Sequence, residues 1–377
     1  MHWESLLNSP GFHLRRGGRL VIAEFREPHR VISTSARNGG QRDDLQFLVN
    51  HQSCEGAGHE DRHRAIVAAG EAAYHDAVCA EADVPPDRTA TMGTAASMNY
   101  VAVATEADDE ATVTAVVTGG VATNATCAGD PARWRETDAG VERTPAVAGT
   151  INVMLLIGVP LTESALARAV VTMTEGKSAA LQRLAIPSRQ SADLATGTGT
   201  DQYCVAAPLR GIGIRTSTSP HMKLGESIGR ATRAATLEAL RWQNGLEPSY
   251  ARGVFHALGR YGVTEATFFD DIAVFLDDRD LELLRKNSKA ALYDPLAGAA
   301  AHALAAVCDR VRHGALPDLV QRDAAIQQAA SLAASVAMQP ERWPEFHARL
   351  HGLGTADPKT LALAAVGFGW AAKWRPR

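Results

Sequence analysis

The sequence feature that most constrains the fold is an unbroken apolar segment at residues 149–159, GTINVMLLIGV. It is far shorter than the roughly 20 residues that span a bilayer. It also lacks the alternation of a strand with one face in water, and is typical of a strand covered on both faces. A buried amide without a partner costs about 1–3 kcal/mol. Asn152, near the start of the segment, therefore either pins neighbouring loops or faces a ligand.

Strand-like and helix-like segments alternate around this run, which predicts an α/β domain with a mixed sheet and packed helices. The alternation leaves open a four-layer αββα sandwich or a three-layer arrangement. Strands are predicted at 19–25, 30–35, 45–50, 97–105, 111–118, 149–159 and 202–207. Helices are predicted at 61–82, 163–184 and 219–243.

The composition changes after the segment Leu246-Glu247-Pro248. The remaining residues show no convincing strand alternation and several Ala/Leu helical patterns, such as 294–312 and 324–338. We therefore expect two domains, residues 1–245 with the chemistry and an all-helical domain at 246–377 whose role the sequence does not indicate.

Composition and charge exclude several classes of protein. With 46% hydrophobic and 21% charged residues the chain has a sizeable core and is not disordered. The net charge of −4 and the lack of a dense Lys/Arg cluster argue against a nucleic-acid partner. Five cysteines without a CxxC pair favour a reducing compartment. No targeting or membrane-spanning segment is visible, so we expect a cytoplasmic protein with no membrane partner. A homo-oligomer is left open.

Two loops rich in Gly, Thr and Asn hold most of the candidate functional groups. The first, TGGVATNATCAGDP at 118–131, contains Asn124 and Asp130, either of which is a turn residue or a site residue. Cys127 has no visible base beside it and reads as a small buried cysteine. The second loop, ATGTGTD at 195–201, offers backbone N–H groups and Asp201, but it is not a Walker motif because no lysine follows its glycines.

The predicted helix at 163–184 carries two charged residues of interest. Thr162 is its N-cap candidate. Lys177 falls in the apolar stripe, so its ammonium is either paired or near a site opening. Glu175 points to nearly the opposite face, which suits a solvated position.

Three histidines are candidate functional residues. His221 stands at the predicted start of a helix, where the helix dipole disfavours its protonated form. It is therefore either a neutral base or a surface residue. His59 and His63 lie one helical turn apart around GHEDRH, but no third metal ligand is identifiable, and no metal site is predicted.

Taken together, these segments resemble the adenosylcobinamide amidohydrolase family, CbiZ. The matching pieces come in family order and cover about residues 30–240. They are Asn38-Gly39-Gly40, VTGGVATNATCAGDP, GTINVMLLIGVPLT, MTEGKSAAL, ATGTGTD and PHMKLGESIG. Two departures are mild: Gly176 stands where an alanine is expected, and Thr126-Cys127 stand where bulkier residues are usual.

The resemblance implies an enzyme that hydrolyses the amide between aminopropanol and adenosylcobyric acid, for corrinoid salvage into cobamide synthesis. The corrinoid, with its cobalt, is then the substrate and partner, and no cofactor or protein-bound metal is implied. The residues implied as catalytic are Asp201, His221, Lys177, Glu175 and Asn124. Those implied as substrate-binding are Asn38, Asn152, Asp130, Thr198, Gly199, Thr200 and Lys223.

Amide hydrolysis needs a base, oxyanion donors and an acid for the leaving amine. Either Asp201 or His221 would be the base. Asn124 and loop N–H groups would stabilise the oxyanion, and Lys177 would supply a positive charge or donate the proton. Two other functions remain open. One is a corrinoid-binding carrier without turnover. The other is a small-peptide amidohydrolase or aminopeptidase, which would require an activated nucleophile.

Overall fold

The computed structural model describes residues 2–55, 58–108, 111–138, 140–143 and 147–375. It divides the chain into two compact units. The first comprises residues 1–190 and 194–245, and the second comprises residues 191–193 and 246–377. That residues 1–245 and 246–377 are separate domains stays a prediction, which truncation at Gly245 tests.

The first unit contains all the strands of the described chain and four helices. The strands are β1 (Glu4–Asn8), β2 (Phe12–Gly17), β3 (Leu20–Phe25), β4 (His29–Ser33), β5 (Gly40–Arg42), β6 (Phe47–Gln52), β7 (Thr89–Thr94), β8 (Ala102–Ala107), β9 (Thr112–Gly119), β10 (Ala125–Thr126), β11 (Trp134–Thr137), β12 (Gly140–Arg143), β13 (Ile151–Ile157), β14 (Gly197–Thr198) and β15 (Gln202–Pro208). The helices are α1 (His59–Ala69), α2 (Glu71–Ala82), α3 (Glu163–Arg183) and α4 (Lys223–Asn244).

Most of these strands form two sheets. The first has five strands in the order β1-β2-β3-β6-β7, and the second has six in the order β5-β4-β15-β13-β9-β8. Both are mixed, because β6 pairs parallel with β7 and β13 pairs parallel with β15, while the other pairs are antiparallel. Two short antiparallel ribbons, β10–β14 and β11–β12, complete the unit.

The two sheets pack face to face. One buried cluster combines Val21 and Ala23 of β3 with Met154 and Leu156 of β13, so it lies between the sheets. The alternate residues of β3, Leu20 and Ile22, lie on the opposite face in a second cluster with α2. The period-2 alternation of a strand thus sends one set of side chains to the other sheet and one set to a helix.

Helices α3 and α4 cover the outer face of the second sheet, which makes the first unit a four-layer αββα sandwich. This confirms the α/β prediction and settles its open layer count. The two helices approach closely at Gly176, where a Cβ would lie 3.0 Å from the Gly229 carbonyl oxygen. Because α4 leaves no room there, glycine replaces the expected alanine. The apolar segment forms β13, all seven residues of which are buried, as predicted for a strand covered on both faces.

The second unit, as described, is helical throughout. Its central helices are α10 and α12, and α12 is buried almost continuously from Leu361 to Trp370. The all-helical prediction for this region is confirmed. Its helices are α5 (Pro248–Ala251), α6 (Val254–Leu258), α7 (Phe268–Ile272), α8 (Asp278–Leu292), α9 (Pro295–Arg312), α10 (Asp318–Ala337), α11 (Trp343–Gly352) and α12 (Pro358–Lys373).

Several predicted elements differ from the structure. The single helix expected at 61–82 is two helices, broken at Gly70. The φ of this residue is 86°, which glycine adopts readily but which lies outside the α-helical region. The strand expected at 97–105 begins only at Ala102, after a 3₁₀ turn. Helix α4 begins at Lys223 rather than near residue 219. Thr162 does cap α3, accepting a hydrogen bond from the Ala165 N–H.

Among the described residues, no single helix has the length and apolar character needed to cross a membrane. The pair α8 and α9 meets that test only when joined, and the two helices are bent by 82° at their junction.

Candidate functional site

A cavity of about 580 Å³ opens at one end of the sandwich. It lies where β6 and β7 finish and where β13 and β15 start, since Ser53, Thr94, Thr150 and Gln202 all line it. The cavity has two sides. We call the loop wall the lining residues 124–134, 149–150 and 199–202, and we call the helix wall Cys54 together with the lining residues of α1 and α2.

The loop wall joins the two Gly/Thr/Asn loops of the sequence. Their strands β10 and β14 pair antiparallel, with Ala125 opposite Thr198. The Asn124 amide N–H₂ donates to the Gly149 carbonyl at 2.8 Å and to Thr200 Oγ1 at 3.4 Å. Both amide hydrogens are therefore used within the protein, so Asn124 holds the loops together rather than presenting a free oxyanion donor.

Asp201 lies behind the loop wall and does not line the cavity. Its carboxylate accepts hydrogen bonds from the Ile151 N–H at 2.9 Å and from the N–H and hydroxyl of Thr198. It also forms an ion pair with Lys177, and both side chains are less than a fifth exposed. Lys177 is thus paired, one of its two predicted alternatives. Glycine is required at position 197, because a Cβ there would lie 2.5 Å from Asp201 Oδ2 and 2.8 Å from Lys177 Nζ.

Asp130 lines the cavity on the loop wall. Its Oδ2 accepts hydrogen bonds from the Cys127 N–H at 2.8 Å, the Ser188 hydroxyl at 2.6 Å and the Thr126 hydroxyl at 3.1 Å. It therefore closes its own turn, as a turn residue does, and also ties that turn to Ser188. Cys127 lines the cavity too and is half-buried rather than buried.

A chain of amides crosses between the sheets beneath the cavity. Asn152 of β13 donates to the side chain of Asn50 of β6 at 2.8 Å, and Asn50 donates to Thr118 Oγ1 of β9 at 2.7 Å. Asn152 is fully buried and does not line the cavity, and its amide links strands of the two sheets, since it also donates to the Gly93 carbonyl of β7. Gln202 adds a second link, because its side-chain oxygen accepts from the Gly93 N–H of β7 at 2.9 Å.

The helix wall is built differently. No residue of α1 is buried, yet His59, Arg62, His63 and Ile66 all line the cavity from one side of that helix. The His63 ring stacks on Trp134 of the loop wall, with centroids 5.7 Å apart. His59 is the first of these four lining residues of α1, and burial lowers its pKa.

Behind the helix wall, Tyr74 of α2 connects the cavity to a buried histidine. The His51 ring lies 2.9 Å from the Tyr74 hydroxyl, and the His51 side chain is 2% exposed. Burial lowers the pKa of His51 to about 4 and raises the pKa of Tyr74 to about 12. Both groups are therefore neutral near pH 7.

The structure brings part of the predicted site together. Gly199 and Thr200 line the cavity with Asn124 and Asp130, whereas Thr198 lies just behind it as a partner of Asp201. Glu175 is exposed on α3 and is not among the lining residues.

His221 and Lys223 are not brought to this cavity. They lie at the start of α4, whose other end reaches the cavity side of the sandwich, where Asn244 accepts from the Val121 N–H. A helix of 22 residues is about 33 Å long. His221 is exposed, and Lys223 forms an exposed ion pair with Glu226. Neither residue therefore lines this cavity with Asn124, and their roles in catalysis and binding stay predictions.

Asn38 is also outside the cavity. It adopts a left-handed conformation with φ 59°, and its amide donates to the carbonyl groups of Pro86 and Thr89. These bonds fix the turn between β4 and β5 against the start of β7.

The sequence did not single out most of the helix wall. Cys54, Arg62, Tyr74 and His75 all line the cavity without belonging to a recognised motif. The only available indication was the pair His59 and His63 at helical spacing. Within the part of the chain that the structure describes, no group of three or more His, Cys, Asp or Glu is arranged to hold a metal ion.

A cavity lined by hydroxyl, amide, carboxylate and imidazole side chains at one end of an α/β sandwich is a candidate small-molecule site. The sequence profile of the adenosylcobinamide amidohydrolase family, CbiZ, matches residues 9–248, and the chain belongs to this family. It is also 32% identical over 232 residues to the Methanocaldococcus jannaschii protein named "Uncharacterized protein MJ1613". That match covers 59% of this chain and 86% of the relative.

Proposed function

We propose that this chain hydrolyses the amide that joins aminopropanol to adenosylcobyric acid in adenosylcobinamide. The observation that carries the proposal is the convergence of three family segments, 124–131, 149–150 and 199–202, on one cavity. These segments are distant in sequence, and they line one pocket because β10 pairs with β14 and β13 pairs with β15. The products, adenosylcobyric acid and aminopropanol, would place the reaction in corrinoid salvage.

The cavity suits the arm that carries the amide rather than a whole corrinoid. Pockets of about 300–1,000 Å³ enclose drug-sized molecules, and a corrinoid is larger. A second cavity of about 670 Å³ adjoins the first, and both are lined by Ala95, Gly149 and Thr150. We propose that the amide arm enters the first cavity while the ring lies across the opening toward the second.

We assign the Lys177–Asp201 pair a positioning role. The Asp201 carboxylate already holds four donors, and it orders the turn that presents Gly199 and Thr200 to the cavity. Removing its charge would leave the Lys177 ammonium mostly buried without a counter-ion, which would destabilise the fold. The pair thereby keeps the loop wall in one shape.

The proposed reaction uses the side chains of the protein and water, with cobalt present only as part of the substrate. All five cysteines are free thiols, as is usual for a protein of a reducing compartment, and we propose the cytoplasm.

The test is incubation of the purified protein with adenosylcobinamide, followed by chromatography of the corrinoids and detection of free amine. We expect adenosylcobyric acid and aminopropanol in equal amounts. Tight binding of adenosylcobinamide with no product would instead support the carrier function, and release of amino acids from small peptides would support the peptidase alternative.

A further inference from the structure

A cysteine and a histidine meet at the edge of the helix wall. Cys54 follows β6, and His59 is the first residue of α1. The distance from Cys54 Sγ to His59 Nδ1 is 3.2 Å, within hydrogen-bonding reach, and both residues line the cavity. A thiol beside an imidazole is the arrangement of an activated nucleophile.

The local backbone explains why the two side chains meet. Gly58, the residue before α1, adopts a left-handed conformation with φ 80°. This conformation, readily accessible to glycine, turns the chain into the helix so that the first helical side chain faces back toward the end of β6. Cys54 is half-buried and is one of the residues that line the cavity.

A second Cys–His pair in the same unit shows what an inert pair looks like. Cys79 Sγ lies 3.5 Å from His75 Nε2, but that nitrogen is 2.8 Å from the Pro86 carbonyl oxygen. A carbonyl only accepts hydrogen bonds, so His75 Nε2 carries a proton and cannot take one from a thiol. Burial also raises the pKa of Cys79 to about 11.

His59 differs from His75 in the partner of its ring nitrogen. Its Nδ1 faces a thiol, which can donate a proton to it. Burial lowers the pKa of His59, so its imidazole is neutral and able to accept a proton near pH 7.

We propose that Cys54 is the nucleophile and His59 the base of the amide hydrolysis, an inference that rests on the proposed function for its substrate. The Cys54 sulfur attacks the amide carbon while its proton passes to His59. His59 then protonates the departing amine, the C–N bond breaks, and a thioester remains on Cys54. Water attacks the thioester, its proton returning through His59 to the sulfur, which releases the carboxylic acid.

The first experiment measures thiol reactivity and needs no substrate. The intact protein is treated with iodoacetamide near pH 7, and the labelling of each cysteine is followed by peptide mass spectrometry. Cys127 is the internal control, because it is half-buried on the same cavity and its sulfur lies 3.7 Å from a carbonyl oxygen rather than beside an imidazole. We expect Cys54 to react at least about tenfold faster than Cys127 in the wild type, and His59→Gln to remove that difference.

Equal rates at Cys54 and Cys127 would overturn the inference, as would a Cys54 rate that His59→Gln leaves unchanged. Because the comparison of the two cysteines is made within the wild-type protein, it decides the question even where a variant fails to fold.

The second experiment measures turnover of adenosylcobinamide. We expect Cys54→Ala and Cys54→Ser to lower turnover at least about 10²-fold. We also expect hydroxylamine added to the wild type to divert part of the product to the hydroxamate, because a thioester is attacked by that amine. Variants that keep more than about a tenth of wild-type turnover would show that Cys54 is not the nucleophile. The proposed function would still stand, with Asp130 as the candidate base for direct attack by water.

The two proposals fail in different ways. A wild-type protein that never cleaves adenosylcobinamide, but whose Cys54 is labelled rapidly in a His59-dependent manner, would remove the proposed function and keep the activated thiol.

Discussion

The loop wall and the helix wall of the cavity are built by opposite means. In the loop wall the polar side chains are tied into the protein, because Asn124, Asp130 and Thr200 each hydrogen-bond to a neighbouring loop. In the helix wall, α1 has no buried residue, and Cys54 and His59 face the cavity with each other as partners. The difference teaches that a motif rich in Gly, Thr and Asn can mark the scaffold of a site, while the groups proposed to react lie on the opposite wall of the cavity.

The sharpest way to break this comparison is to remove the charge behind the loop wall. Asp201→Asn leaves the Lys177 ammonium without its counter-ion in a place where both side chains are less than a fifth exposed. Breaking a buried pair in this way costs about 3–5 kcal/mol, and the partial exposure favours the lower end. We expect reduced protection of β13 and β15 in hydrogen exchange, with turnover falling in parallel.

Two further variants serve as controls for Asp201→Asn. Adding Lys177→Met should recover part of the lost stability, because the uncompensated charge is gone. Glu226→Gln removes a carboxylate from an exposed ion pair on α4 and should change little. An Asp201→Asn protein with unchanged protection but turnover lower by about 10²–10⁴ would make Asp201 the base, as the sequence first suggested.

Acid should weaken the side of the sandwich behind the helix wall. His51 in the unfolded chain binds a proton below its ordinary pKa of 6.5, whereas burial holds its pKa in the folded protein near about 4. Stability from this group is therefore complete above pH 6.5 and is lost as the pH falls toward 4. Each unit of pKa shift is worth about 1.4 kcal/mol, so the loss is about 3 kcal/mol.

Hydrogen exchange of β3 and β6 at pH 7, 5 and 4 measures this loss, compared with the variant His51→Gln, which cannot take up the proton. The wild type should lose more stability than the variant over this range. Parallel curves for the two proteins would show that His51 does not govern the acid sensitivity.

Truncation sharpens the comparison by asking whether both walls are complete without the second unit. The residues that line the cavity all lie between Ala36 and Gln202. A chain ending at Gly245 should therefore keep its turnover of adenosylcobinamide. A truncated protein that is folded by circular dichroism yet inactive would show that residues 246–377 contribute to the reaction.

Metal removal should have the smallest effect. Neither wall, as far as the structure describes it, arranges three His, Cys, Asp or Glu side chains for a metal ion. We expect turnover to persist after dialysis against EDTA. Activity lost to EDTA and restored by Zn²⁺ would direct attention to His59 and His63, whose rings lie 6.2 Å apart.

The sequence predicted the fold better at its centre than at its edge. The strand β13 and the cap of α3 were readable, because a continuous apolar run and a Thr N-cap have few alternatives. The edge strands β1 and β7 of the first sheet were missed, and so was β2, which lies beside β1. β1 has no buried residue and β2 buries only half of its residues, so their apolar pattern is weak.

The site was predicted on one side only. The amino-acid composition of the turns indicated the loop wall, because the backbone and the hydrogen bonds of these turns require glycine and threonine. The nearness of Cys54 to that wall depends on how two sheets pack, which no local pattern encodes. His221 belongs to the family segment that follows ATGTGTD in the sequence, yet it lies just before α4 and does not line the cavity, a distance that the order of the motifs does not reveal.

The amides of Asn50 and Asn152 have a consequence for how the two walls move. Each wall is connected to a different sheet, and apolar contacts between the sheets are non-directional. The bond between these amides, at 2.8 Å, is directional and favours one relative position of the two sheets. Replacing both residues with apolar ones would remove this bond and would also leave Thr118 Oγ1 and the Gly93 carbonyl without their amide donors, at a cost of about 1–3 kcal/mol for each buried group left unpaired. The two walls would also lose their alignment, so that Cys54 and the loop wall would no longer contact the same substrate molecule together.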